Sequence, residues 1–451
     1  MKKALALVMA GAMALSMVAC GGGSTSTSTS TATSGSTAAS TGTSTASGTA
    51  TEITLWTYPI GSWQKEETVN GFIAEFNKQY PDIKVNVEYL DYTNGDDKVT
   101  TAIEAKNTPD IIFEGPERLV SNWGAKGLMV DLSDLWTEEA TADISQTSEA
   151  VVNACKGADG KYYEYPMCMT AHNMAINYEL FEETGALQYI DQETRTWTTD
   201  NFVKALETLR DSGKVMTPAI VYCGGQGGDQ GTRALVNNLY SGTYTNADHT
   251  AYTANSAENV KALELLQKLN SEKALTFDPA MQASDELQMF ANGTAAMTFC
   301  WNASNEATYA EQVTFTPYAM NFPTDDGKVE LCGGIWGFGI FNNGDEAKIE
   351  AAKTFIKFIC DDATQGPASV QATGFFPVRS SFGNVYAGTE NEERMATFQT
   401  FLPNMGDYYN VIGGWTEQRT AWWNMLQEVG NGSDVQAAAD KFVETSNAAI
   451  G

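Results

Sequence analysis

The stretch from Glu52 to Phe113 alternates strand-like and helix-like periods, and no other feature constrains the fold as much. "EITLWT" is rich in β-formers and reads as a strand. After the loop "YPIGSW", Val69, Phe72, Ile73, Phe76 and Tyr80 recur at helical spacing. "PDIKVNVEYL" alternates Ile83, Val85, Val87 and Tyr89, a second strand. A polar helix with Val99 and Ile103 follows, then "TPDIIF", a short buried strand with a proline at its edge. Strand–helix–strand–helix–strand implies an α/β fold with a parallel sheet and right-handed crossovers. Ligands of such sheets bind at the loops beyond the strands' C-terminal ends, here "YPIGSW" and "EGPERL". Further stripes read as core faces of helices: Phe202, Leu206 and Leu209; Val260, Leu263 and Leu266; Ile349, Phe355, Ile356 and Ile359.

The first residues are a targeting segment rather than part of that fold. Lys2 and Lys3 precede an apolar run, Ala4 to Val18, that is too short to span a bilayer comfortably. The signal peptide is expected at 1–19, and "MVAC" resembles the bacterial lipobox, which predicts acylation of Cys20. An ordinary secretion signal cleaved elsewhere is the alternative. Residues 20–51 are almost all Ser, Thr, Gly and Ala, and such a tract cannot bury enough apolar surface to offset its ordering entropy. It is expected to be a disordered tether between lipid and domain. About 400 residues remain, enough for two lobes. A net charge of −29 argues against nucleic acid and against charge-driven binding to anionic lipid, and otherwise serves solubility.

Several chemistries lack their motifs. The only histidines, His172 and His249, stand far apart, with no HExxH or metal-ligand spacing. GxSxG, GxxxxGK, GxGxxG and EF-hand patterns do not occur, and neither metal nor cofactor is expected. Besides Cys20, the cysteines are Cys155, Cys168, Cys223, Cys300, Cys332 and Cys360. None forms a CxxC pair and several sit in apolar runs, so buried free thiols are expected, although the even count leaves disulfides open.

A series of segments in order carries a family resemblance: "ITLWT", "FIAEFNKQYPDIKVNVEYLD", "TPDIIF" with "GLMVDLSDL", "GKYYEYPMCMTAHNMAINYELFEETGAL", "TWTTDNFVKALETL", "FANGTAAMTFCW", "GGIWGFGIFNNGDEAKIEAAKTFIKFI", "TGFFPVR" and "GGWTEQRTAWWNML". From Glu52 to Gly451 the chain resembles the family 1 extracellular solute-binding proteins of bacterial ABC importers, the maltose-binding-protein group. The resemblance implies a two-lobed periplasmic-binding-protein-like fold with hinge crossovers and a ligand cleft between the lobes. Lobe one would comprise 52–169 and 336–382, lobe two 170–335 and 383–451. The resemblance also implies a protein lipid-anchored to the outer face of the cytoplasmic membrane, expected as a monomer, that captures a carbohydrate, expected to be a neutral oligosaccharide, and delivers it to an ABC transporter permease. The crossovers at "YEYPMCMT" and "ELCGGIWG" would bring Cys168 and Cys332 near each other.

Candidate ligand contacts follow by position. Sugars offer apolar faces to aromatic rings and hydroxyls to planar polar side chains. Tyr58 and Trp63 lie on the loop after the first strand, while Trp56, inside it, reads as core. Glu114, Glu117 and Arg118 follow "PDIIF", and "ER" there resembles an acidic–Arg pair that contacts sugar in the family. The alternative is a solvated helix start, with Glu117 favoured by the helix dipole. Asp229, Gln230 and Arg233 follow the Gly-rich "YCGGQGGDQGTR", which lacks P-loop spacing and reads as a cleft loop. Trp301 and Asn302 follow "AAMTFC", where the family often has a stacking aromatic. Trp336 lies in "GGIWG", and Trp415, Glu417 and Arg419 open the last Trp-rich segment. Trp301 and Trp415 are expected to be the principal stacking residues, with Trp336 next. Of the adjacent Trp422 and Trp423, one is expected to face the core. Aromatics and carboxylates in a cleft also describe a cell-surface glycoside hydrolase, the alternative function.

Overall fold

The computed structural model describes residues 50–225, 227–406 and 412–450. The expected signal peptide, Cys20 and all but the last two residues of the 20–51 tether lie outside the described residues. Thr51, at the end of that stretch, already opens the first strand.

The strand–helix alternation forms as the sequence predicts. β1 (Thr51–Thr57), helix α1 (Glu66–Gln79), β2 (Ile83–Tyr89), helix α2 (Gly95–Glu104) and β3 (Ile111–Glu114) follow one another, and β1 pairs in parallel with both β2 and β3. α1 buries Val69, Ile73 and Phe76, the last edge-on to Phe355 and Phe358, and full burial of such side chains contributes about 1.5–3 kcal/mol each. Glu66 and Glu67 in its first turn and Lys78 in its last complement the helix dipole.

Further strands are β4 (Tyr165–Ala171), β5 (Asn173–Asn177), β6 (Ile220–Tyr222), β7 (Thr276–Asp278), β8 (Met297–Trp301), β9 (Pro317–Met320), β10 (Gly333–Ile340) and β11 (Phe376–Pro377). They build a six-stranded sheet of order β11-β4-β10-β3-β1-β2, a three-stranded sheet β8-β5-β9 and a small pair β6-β7. The first sheet carries one lobe and the other two the second. β4 and β5 are separated only by His172, so the chain passes from one lobe to the other through a single residue. β10 returns it, antiparallel to β4. The first sheet extends a little past the expected limits at Met169 and Trp336, since β4 runs to Ala171 and β10 starts at Gly333.

Further helices include α3 (Thr199–Ser212), α4 (Asp229–Leu239), α5 (Ala257–Ser271), α6 (Ala283–Ala291), α7 (Ala303–Tyr309), α8 (Glu346–Asp361), α9 (Trp415–Gly430) and α10 (Val435–Ala448). The expected stripes of α3, α5 and α8 are buried, and so is Trp56. Cys155, Cys168, Cys223, Cys300, Cys332 and Cys360 are buried thiols outside any disulfide among the described residues. Cys168 and Cys332 lie on the neighbouring strands of the crossover but out of step. Cys168 is opposite Trp336, whereas the Cys332 carbonyl accepts the His172 N–H at 2.9 Å, four positions away along the ladder. At about 3.3 Å per residue they are not neighbours, which corrects the expectation. Trp422 and Trp423 are both buried rather than one. Trp422 donates to Thr232 Oγ1 at 3.0 Å on the core side, and Trp423 packs on Tyr222 at 6.0 Å between centroids.

Candidate functional site

A cavity of about 430 Å³ opens between the lobes. From lobe one it is lined by the loop after β1 (Pro59, Ile60 and Gly61), by Tyr92 and Thr93 beyond β2, by Glu114, Glu117 and Arg118 at the end of β3, and by Trp336 and Phe375. Lobe two contributes Gly227, Gly228 and Gln230 at the start of α4, the N-terminal half of α6, Cys300, Asn302, Ser304 and Asn305 around the β8–α7 junction, and Trp415 and Arg419 of α9. His172 lines it at the crossover. Close backbone approach shapes the walls at two glycines. Gly228 adopts φ +77, and a Cβ there would sit 2.4 Å from that of Ala283. A Cβ on Gly334 would strike the Trp336 indole at 2.2 Å.

Arg118 is the electrostatic centre on the lobe-one side. Its Nε and Nη2 donate to the two carboxylate oxygens of Asp96 at 2.7 and 2.9 Å, and its Nη1 donates to Glu114 Oε1 at 2.6 Å. The Tyr58 hydroxyl adds a bond to Asp96 at 2.7 Å, and the Gly115 N–H donates to Glu114 Oε2 at 2.7 Å. Burial pushes the Asp96 carboxyl up, but Arg118 outweighs it and holds the group at about 2. Glu114 is raised, because its full burial, with Glu117 and Asp96 nearby, exceeds the help from Arg118. On the other side, Arg419 Nε donates to Asp229 Oδ1 at 3.0 Å, and Arg233 Nε lies 3.1 Å from Asp229 Oδ2, a charge contact without hydrogen-bond alignment. Burial opposes ionisation of Asp229, but the two guanidinium groups keep its carboxyl below the usual range.

Aromatic rings supply the apolar walls. Trp336 stacks on Phe375 with centroids 4.7 Å apart and planes at 16°. Tyr92 stacks on Tyr58 at 5.1 Å. The Trp415 ring lies 4.5 Å from Cζ of Arg118 and 4.3 Å from Cζ of Arg419.

Of the expected contacts, the cavity brings together Glu114, Glu117, Arg118, Gln230, Asn302, Trp336, Trp415 and Arg419. The others lie elsewhere. Trp301 is fully buried, donates to Glu306 Oε2 at 3.3 Å and packs on Phe290 and Tyr309. Strand alternation gives the reason, since Cys300 and Asn302 face the cavity and the residue between them must face away. Trp63 is buried among Phe72, Phe113 and Phe338, with its indole donating to the Ser369 carbonyl at 3.2 Å. Tyr58, Asp229 and Arg233 stand behind the lining and hold it in place. Glu417 is exposed on the α9–α10 groove, because it lies two residues from both Trp415 and Arg419, which share the cavity-facing side of α9. Tyr92, His172, Phe375, Gln282 and Ser304 also line the cavity, beyond the residues expected from the sequence. Tyr92 was open to detection, because the strand-end rule applies to β2 as it does to β1 and β3. Phe375 belongs to "TGFFPVR" but has no local mark of its own, and His172 carried no signal beyond its position.

Residues 61–366 match the family described as bacterial extracellular solute-binding protein. The chain belongs to that family. No curated protein matches it by sequence. Among solved structures, this member of the family is similar to an ABC transporter solute-binding protein from Thermotoga lettingae bound to α-D-tagatose, at 19% identity and a TM-score of 0.73, covering 89% of this chain and 100% of the other. It is similar to an ABC substrate-binding protein from Listeria monocytogenes in complex with cycloalternan, at 21% identity and a TM-score of 0.68, covering 88% and 98%. A maltose/maltodextrin-binding domain from Bdellovibrio bacteriovorus bound to maltotriose matches at 15% identity and a TM-score of 0.67, covering 88% and 98%. These likenesses establish the two-lobed α/β fold.

Proposed function

We propose that this family member captures a neutral carbohydrate between its lobes and presents it to the permease of an ABC importer. The observation that carries the reading is the pairing of charge around the cavity. Arg118 is engaged by Asp96 and Glu114, and Arg419 shares Asp229 with Arg233, so the arginines hold carboxylates rather than wait for an anionic ligand. The aromatic faces of Trp336, Trp415 and Tyr92, with Gln230, Asn302 and Glu117 among them, suit a ligand with apolar faces and a rim of hydroxyls. The sugars named for the solved relatives fit the same chemistry. Against hydrolysis, the lining carboxylates among the described residues, Glu114 and Glu117, sit on one side of the cavity rather than facing each other across it.

Calorimetry with neutral mono- and oligosaccharides, uronic acids and short peptides tests the reading. Binding of a neutral sugar alone is expected; exclusive binding of an acidic sugar or a peptide overturns it. The same proposal has the protein work as a monomer on the outer face of the cytoplasmic membrane, tethered through a lipid on Cys20. Cys20→Ser is expected to release it into the soluble fraction, and firm membrane retention of that variant would refute the anchor.

A further inference from the structure

His172 is more than nine-tenths buried, and among the described residues neither of its ring nitrogens has a hydrogen-bond partner. It nevertheless lines the cavity between the lobes. Leaving a buried polar group unpaired is costly, and native proteins rarely tolerate it without a reason. The backbone shows that this placement is fixed. His172 is the single residue between β4 and β5, and its N–H donates to the Cys332 carbonyl at 2.9 Å, so the two crossover strands hold its Cα. The imidazole lies edge-on to Trp336, with centroids 6.1 Å apart and planes at 69°, and Trp336 in turn stacks on Phe375.

We propose that His172 is a specificity-determining ligand contact, whose two ring nitrogens hydrogen-bond hydroxyl groups of the sugar seated against Trp336. This rests on the carbohydrate reading given above. Burial and the Arg233 charge depress protonation of the ring to about 4, against a smaller opposing pull from Asp229. At neutral pH the imidazole therefore offers one donor and one acceptor, which a hydroxyl-bearing ligand satisfies and an apolar one does not. A site that has already buried an unpaired polar group discriminates strongly against an analogue lacking the matching hydroxyl. His172 lies on the segment joining the lobes, so ligand bonds to it connect occupancy directly to the hinge.

The test uses the full chain and a panel of D-tagatose, ribitol, maltose and maltotriose. Calorimetry first identifies the tightest binder to wild type. His172→Phe, which keeps a flat ring without nitrogens, is expected to lose about 10–100-fold in affinity for that sugar. His172→Gln, which keeps a donor and an acceptor, is expected to recover part of the loss. Because the chain has only two histidines, ¹⁵N-histidine labelling gives an independent readout on wild type. The ring signals of His172, assigned with His249→Gln, should shift on adding the sugar. Wild-type binding with unchanged His172 ring signals overturns this proposal alone, even if the variants misfold. So does undiminished affinity in a folded His172→Phe. If no sugar of the panel binds wild type, the carbohydrate reading fails and this proposal falls with it.

Discussion

The guanidinium of Arg118 lies 4.5 Å from the centre of the Trp415 ring, and the two residues come from opposite lobes. Arg118 ends the short helical turn Pro116–Arg118 that follows β3, and Trp415 opens α9, which packs on α10. Arg419, one turn along α9, approaches the same indole at 4.3 Å. A cation held over an indole contributes about 0.5–2 kcal/mol, more as water is excluded. The contact therefore joins the lobes beside the cavity, which both residues line.

Removing that ring should act on affinity and on lobe spacing together. Trp415→Ala is expected to weaken binding of the best sugar about 30-fold, or ~2 kcal/mol. The ligand-free variant should also show a larger radius of gyration in small-angle scattering. Trp415→Phe keeps an aromatic face and should fall between the two. Wild-type affinity and an unchanged radius in a folded Trp415→Ala would show that the contact is incidental.

Trp301 should behave in the opposite way. Its indole is enclosed by Phe290 and Tyr309 rather than by the cavity, so truncation leaves a void in the core. Trp301→Ala is expected to cost about 3–5 kcal/mol in urea unfolding. Trp301→Phe, which retains most of the packing, should bind sugar within about threefold of wild type. A large affinity loss in the stable Phe variant would return Trp301 to the binding surface.

The buried His172 gives stability a signed pH dependence. Its pKa falls from 6.5 to about 4 on folding, chiefly through burial, reinforced by Arg233 and opposed by Asp229. Between those values the unfolded chain binds more protons than the folded one. The contribution is thus complete above pH 6.5 and is lost as pH falls toward 4. It is on the order of 3 kcal/mol over the window. Urea midpoints of wild type should drop more steeply than those of His172→Gln between pH 6.5 and 4. Parallel profiles would mean that the imidazole is not held neutral by the fold.

The buried thiols should be silent until the chain unfolds. Burial raises Cys223 and Cys300 to about 12 and raises Cys155 and Cys360 as well, so thiolate is scarce. In a Cys20→Ser background, a thiol-reactive dye is expected to label the native protein slowly. In denaturant without reductant it should label every remaining cysteine. Fewer reactive thiols after unfolding would reveal a disulfide.

Much of the architecture was legible because its signals are local. The alternation of Ile83, Val85, Val87 and Tyr89 and the stripe of Val69, Ile73 and Phe76 reflect side-chain periods that each segment carries by itself. The crossover segments were readable as ordered landmarks. Half-legible were the site residues that follow strand ends. The sequence points to Glu114, Glu117 and Arg118, whereas Tyr92, just beyond the end of β2, lines the cavity without a distinguishing local motif. Trp301 shows where strand context misleads, since one position separates Asn302, just past β8 at the cavity, from an indole in the core.

The sequence by itself determined the α/β class, the order of elements, the buried faces and the segments that approach the cleft, because these depend on short-range periodicity and turn chemistry. Only the tertiary structure decided which side chain of each segment faces the cavity. It also decided that Asp96 meets Arg118 and Asp229 meets Arg419, and that among the described residues the buried His172 ring finds no hydrogen-bond partner. Those outcomes depend on strand register, helix rotation and the meeting of residues far apart in sequence, as where Asp229 meets Arg419 and Arg118 meets Trp415. No local pattern encodes such contacts, because the energy that fixes them exists only once both lobes are folded.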